Sequence, residues 1–200
     1  MQYLMGLIGN LLLTISIVFA GWQFHKESQR KKVEKAVELS KFFVDEIIPG
    51  CLPIVDTYKS MDLIKEIEHN IKIENVKCFD KQELSRLNPT FVQKWDKANK
   101  QLLANADGIK IGTLLNNFEY FSMQLTSNVA DEESVYQSLH QVFLLTIKLM
   151  YSLIASQNEN NNNKYYTNII KLFCIWEDRH KKHVLEEQNT KTGLHKQPKI

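Results

Sequence analysis

The chain is poor in helix breakers and in the residues that build covalent or metal frameworks. Four prolines and seven glycines in 200 residues leave long stretches without a turn signal. No run of alternating β-branched residues is long enough to propose a sheet. The three cysteines, Cys51, Cys78 and Cys174, are odd in number, far apart and without a CxxC pair. That excludes a disulfide framework and a thiolate zinc site, and leaves reduced structural thiols as the reading. Charge of one sign is lacking too: a net charge of +2 supplies no global field to recruit nucleic acid. Glycine loops for phosphate, the GxSxG elbow and the HExxH helix are all missing. No catalytic, cofactor-binding or metal-binding residues are therefore expected, no cofactor is assigned, and the chain is read as a non-enzyme.

Residues 1–24 contain no charged side chain. Tyr3 to Trp22 is an apolar run of about 30 Å as a helix, the thickness of a bilayer's hydrocarbon core, with Tyr3 and Trp22 where interfacial aromatics belong. Lys26, Arg30, Lys31, Lys32 and Lys35 follow it, and nothing positive precedes it. The positive-inside rule then places the short N-terminus outside and the remainder in the cytoplasm. A cleaved signal peptide wants the opposite charge order. The expected organisation is a transmembrane anchor over 1–24, a helical cytosolic domain over 25–187 and a flexible polar tail over 188–200.

The fold class expected is all-α: one N-terminal transmembrane helix followed by a cytosolic bundle of about five to six helices. Val33, Ala36, Val37, Phe43, Val44, Ile47 and Ile48 keep helical spacing up to a breaker at Pro49-Gly50…Pro53. Ile54, Tyr58, Met61, Ile64, Ile67 and Ile71 form the next apolar face. The segment 69–80 is irregular, with a short strand as an option. Asp80 and Glu83 have capping-box spacing. A helix from Pro89 carries Phe91, Val92, Trp95 and Leu102 on one face, so "FVQKWDKANKQ" (91–101) reads as a core stripe rather than a base-stacking track. Asp131 caps a long helix bearing Val135, Leu139, Val142, Thr146, Leu149, Met150 and Leu153. The Asn-rich stretch 156–163 is a loop, and a last helix covers about Lys164 to Glu187 with Tyr166, Ile169, Ile170, Phe173 and Trp176.

Two polar features interrupt these patterns. In "WEDRHKKH" (176–183), His180 and His183 lie on neighbouring turns beside Glu177, so a metal site or hydrolase can be drawn on Trp176–His183. A solvated helix end, with cations near its C-terminus, explains the same residues. An all-helical ribonuclease motif would need a longer spacing than the three residues between Arg179 and His183. In "TLLNNFEYFSMQL" (113–125), Ile111, Leu114, Leu115, Phe118, Phe121, Ser122 and Leu125 fill an arc of about 120° on a helical wheel. Asn117 and Glu119 fall on its shoulders, while Asn116 and Tyr120 point away. A shoulder carboxylate such as Glu119 is a candidate for a semi-buried ion pair across the bundle, with Arg179 as one partner to test.

Leu115, Asn116, Phe118, Glu119, Asp131 and Glu132, with the anchor and the later "WEDR", carry a family resemblance over roughly residues 109–180. The chain resembles an uncharacterised family of bacterial proteins with an N-terminal membrane anchor and a helical cytosolic domain. The resemblance implies fold, topology and a place at the bacterial inner membrane, and association with stress or phage-defence gene sets. It implies no activity. The expected partners are the lipid bilayer and a protein partner or a second copy of the chain, with no nucleic acid. The leading function is that of a membrane-anchored interaction or regulatory protein. The alternatives are an oligomerising effector of membrane integrity and a hydrolase or nuclease on Trp176–His183.

Overall fold

The computed structural model describes residues 2–71, 79–104, 107–158 and 164–194, with side chains except at 2–15, 107–109 and 191–194. These residues are helical between turns, and no strand occurs among them. The strand option at 69–80 falls mainly on 72–78, and most of the Asn-rich loop on 159–163, both outside the described residues.

α1 (Gln2–Phe42) passes through one π-helical turn, Phe43–Ile47, directly into α2 (Ile48–Ser60). The stop expected at Pro49-Gly50…Pro53 is therefore absent. In the π turn the Ile48 N–H donates five residues back, to the Phe43 carbonyl. Pro49 is then the second residue of the new segment, where a missing N–H costs little. Gly50 permits close packing: a Cβ there would lie 2.9 Å from Leu114 Cδ1 on a neighbouring helix. Ala36, Leu39, Phe43 and Ile47 face inward, whereas Val33, Val37 and Val44, expected on the same face, are exposed.

The single helix expected across Ile54–Ile71 is two. After α2, Asp62 takes a left-handed backbone with φ of 52°, a conformation its short polar side chain tolerates, and α3 (Leu63–Asn70) sets off in a new direction. Ile54, Tyr58, Ile67 and Ile71 are buried as expected, joined by Leu63, while Met61 and Ile64 are only half-buried. α4 (Lys81–Ser85) opens on the anticipated cap, with Asp80 Oδ1 accepting from the Glu83 N–H at 2.9 Å. The Glu83 carboxylate reaches back to accept from the Phe79 N–H at 2.7 Å. α5 (Pro89–Ala104) buries Phe91, Trp95 and Leu102, with Val92 half-buried against the core.

α6 (Asp107–Thr126) buries all seven residues of the apolar arc. Asn116 and Tyr120 are exposed, and Asn117 and Glu119 are half-buried at the edges. α7 (Glu132–Gln157) starts on its Asp131 cap and is the central helix of the bundle. Leu149 to Ala155 are buried without interruption, because neighbours surround this half on every side. Val142, assigned to its inner face, is exposed. Among the described residues α7 alone is long and apolar enough to cross a membrane, with a mean hydropathy of 1.4 over its best window, and 67% of that window is buried inside the bundle. It is the core helix. The span expected over Tyr3–Trp22 lies within α1, most of it at residues whose side chains are not described. α8 (Thr167–Leu194) runs past the expected end at Glu187, so residues 188–194 of the anticipated tail are helical.

Rings link the layers. Phe43 meets Phe118 and Phe121 at centroid distances of 5.8 and 4.9 Å. Phe143 lies 4.9 Å from Trp176, which meets Tyr136 at 5.6 Å. Tilted and edge-to-face pairs of this kind add about 0.5–1.5 kcal/mol each beyond their burial.

Candidate functional site on α7 and α8

The polar residues singled out in the sequence divide between two places on α8. The first is its N-terminus. Glu119, from α6, accepts from the Asn168 N–H at 3.1 Å, the Asn168 side-chain amide at 2.8 Å and the Ile169 N–H at 3.0 Å. The first N–H groups of a helix have no partners within it, and the positive end of the helix dipole favours a carboxylate. Glu119 therefore caps a helix that begins 48 residues later. Arg179, the partner to test for an ion pair across the bundle, is not at Glu119 but pairs with Glu132 and Glu133. Asn168 continues the network by accepting from Thr126 Oγ1 at 2.9 Å. The half-buried Tyr166 turns the chain into this cap with a φ of 61°, and burial, then the Glu119 charge, raises its hydroxyl pKa. Asn116 and Asn117 take no part in the cap's hydrogen bonds.

The second place is the middle of α8, against the start of α7. Arg179 forks between two carboxylates, Nη2 to Glu132 at 2.9 Å and Nη1 to Glu133 at 3.0 Å. The same Glu132 accepts the Trp176 indole N–H. The guanidinium carbon lies 4.4 Å from the Tyr136 ring centroid, within cation–π range, and the His140 ring stacks on Tyr136 at 4.3 Å. His140 Nδ1 is 2.7 Å from the Tyr136 carbonyl, which fixes that nitrogen as the donor. Burial pushes the Tyr136 hydroxyl pKa up against the opposing pull of Arg179, and the buried oxygen has no hydrogen-bond partner.

The histidines spread apart rather than converge. His180 has His140 as its ring neighbour at 5.4 Å, while His183 meets the edge of Tyr136 at 6.1 Å. Among the described residues no three His, Cys, Asp or Glu side chains gather as a metal would require. Sequence reasoning passed over Glu177 as a mere neighbour of the histidines. It is buried, with one oxygen accepting from Lys148 Nζ at 3.2 Å and the other unpartnered. With Lys148, His180, Gln141 and Glu68 it lines a shallow depression of about 470 Å³.

Other polar groups missed in the sequence are tied into the core. Asn158, fully buried, donates to the Phe79 carbonyl at 3.0 Å and accepts from the Tyr165 N–H at 2.7 Å, joining the starts of α4 and α8. Tyr58 donates to Asn99 at 2.6 Å, and Asn99 donates to Ser152 at 2.8 Å. Tyr151 donates to Glu83 at 2.7 Å. None shows a periodic signal, because each partner lies more than 40 positions away in the chain or on a turn. Cys51 donates to the Ile47 carbonyl at 3.1 Å, and burial pushes its pKa up to about 12, which leaves the thiol protonated and unreactive.

What these two places can do is hold helices and present charge. At both, carboxylates accept from donors that the fold brings to them. Comparison of the chain with protein-family models, with curated proteins and with solved structures finds no match in any of the three.

Proposed function

We propose that this protein is a single-pass membrane protein whose helical domain acts by binding a protein partner or a second copy of itself at the cytoplasmic face. The observation that carries the reading is the part of α1 that stands clear of the bundle. Ile17, Val18, Phe19, Trp22 and Phe24 are between 53% and 79% exposed on an unbroken helix. Contiguous apolar surface of this kind marks a membrane or interaction segment in a folded protein. It adjoins the uncharged stretch that precedes it and gives way to Lys26, Arg30, Lys31 and Lys32, which supports an N-terminus outside and a domain in the cytoplasm. The resemblance to anchored helical bacterial proteins, and through it a role in stress or phage defence, belongs to this proposal.

Fractionation tests the anchor. The full chain should stay in carbonate-washed membranes and leave them when residues 1–24 are deleted; a full chain found in the soluble fraction would sink the idea. Crosslinking in native membranes tests the binding role, which fails if only monomers and no co-purifying protein are recovered.

A further inference from the structure

At the depression beside Glu177, three helices bring an incompletely partnered buried carboxylate close to the surface. Leu144, Leu145 and Lys148 follow Gln141 on α7 at spacings of three, four and seven, which places all four on one stripe. Glu177 and His180, three apart, lie on neighbouring turns of α8, and Glu68 closes the edge from α3. The Glu177 side chain is 7% exposed. One of its oxygens accepts from Lys148 Nζ at 3.2 Å, and Oε2 is buried with no hydrogen-bond partner among the described residues. Folded chains leave few buried polar atoms unsatisfied, so each exception calls for a reason. A carboxylate only accepts, so whatever completes this one is a donor.

The surroundings narrow the kind of donor. Counting histidine as neutral, the described lining holds two carboxylates, Glu68 and Glu177, against the single ammonium of Lys148. A charged donor bonds a carboxylate about twice as strongly as a neutral one. The described residues gather no three His, Cys, Asp or Glu side chains for a metal, which points to an organic cation. A guanidinium presents its donors in a flat fork that wants two acceptors side by side, whereas Glu177 has one oxygen free. An ammonium is compact and rotates its three donors to suit. Leu144 and the 42% exposed Leu145 supply an aliphatic wall for a methylene stem, as lysine stems use apolar surface elsewhere.

We propose that this depression of about 470 Å³ binds a primary ammonium group on an aliphatic stem. The ammonium donates to Glu177 Oε2 and the stem lies along Leu144 and Leu145. Because Oε2 is covered, the half-buried Lys148 and His180 move aside to admit the head. A free alkyl amine and a lysine side chain of a protein partner share this chemistry. The site lies within the bundle and stands whether or not α1 is an anchor.

Saturation-transfer NMR on the full chain in phosphatidylcholine nanodiscs tests this, with n-butylammonium as the probe and empty discs as the blank. Transfer should saturate at about millimolar concentration, as befits so small a ligand. It should fall several-fold with n-butyltrimethylammonium, which keeps the stem and the charge but has no N–H. Glu177→Gln should lower it as strongly, since the amide would keep its oxygen on Lys148 and turn a donor toward the site. Leu145→Arg, at an exposed position, should do the same by placing a positive charge on the rim. No saturable transfer, or equal transfer to the trimethylated probe, overturns the proposal. So does unchanged transfer in a folded Glu177→Gln protein or, if that variant does not fold, in Leu145→Arg. Displacement of the probe by a lower concentration of Nα-acetyl-lysine methylamide identifies a lysine side chain as the source, and displacement only at a higher one identifies a free amine. Either result supports the site.

Discussion

The two polar regions that hold α8 are built from the same chemistry and are used differently. At the N-terminus, Glu119 is closed: three donors occupy its oxygens. In the middle, Glu177 is open: Lys148 occupies one oxygen, and the other is buried without a partner. A satisfied carboxylate at a helix start stabilises, whereas an unpartnered buried oxygen costs on the order of 1–3 kcal/mol. Glutamates at the polar edges of amphipathic helices are therefore not equivalent, and the difference lies in which backbone or side-chain donors the tertiary fold delivers to them.

Glu119→Ala should have the largest effect, a loss of about 2 kcal/mol in a denaturant titration, since it strips the cap from α8 and strands half-buried N–H groups. Glu119→Gln should recover part of that loss. A Glu119→Ala protein that is fully stable but no longer binds its partner would instead make this region a recognition site. Arg179→Ala should cost less, about 1 kcal/mol, because the guanidinium and Glu133 are partly exposed and water screens the pair. High salt should shrink that difference. Glu177→Gln should cost less than about 1 kcal/mol in the same titration, since the amide oxygen still accepts from Lys148 while the ill-satisfied second oxygen goes; a loss as large as that of Glu119→Ala would erase the contrast between the regions.

Cys51 should give the smallest effect on stability and a clear chemical one. Its folded pKa is raised to about 12, while an unfolded thiol ionises near about 8.5. The contribution is complete below that unfolded value and is lost as pH rises from there towards 12. Alkylation followed by peptide mapping at mildly alkaline pH should label Cys51 only when the chain is unfolded. Labelling of the native protein would show that the α1–α2 rod opens locally.

The contrast also shows what sequence pattern can carry. The α6 arc is legible because its seven buried residues recur with the helical period, and the shoulder positions of Asn117 and Glu119 follow from the same wheel. The donors that meet Glu119 are not legible, since they are backbone groups of a helix starting 48 residues later. Arg179, one partner to test for Glu119, is held by Glu132 and Glu133 instead, because charge alone does not fix which carboxylate a folded chain brings near. The Asp80 and Asp131 caps are local and were readable. The exposure of Val33, Val37 and Val44 was not, because the buried line that runs through Ala36 and Leu39 into the π turn leaves these valines to one side.

That turn is a shift of phase. The buried residues Leu39, Phe43, Ile47 and Cys51 are spaced four, four and four, which on a regular α-helix at 100° per residue would wind the apolar line about 120° around the axis. One wide turn takes up an extra residue and brings Cys51, Ile54 and Tyr58 back over the side that Ala36 and Leu39 occupy. The exposed first part of α1 and the core are thereby joined in one continuous rod: a rotation of α1 about its axis reaches Tyr58, and through it Asn99 on α5 and Ser152 on the central helix.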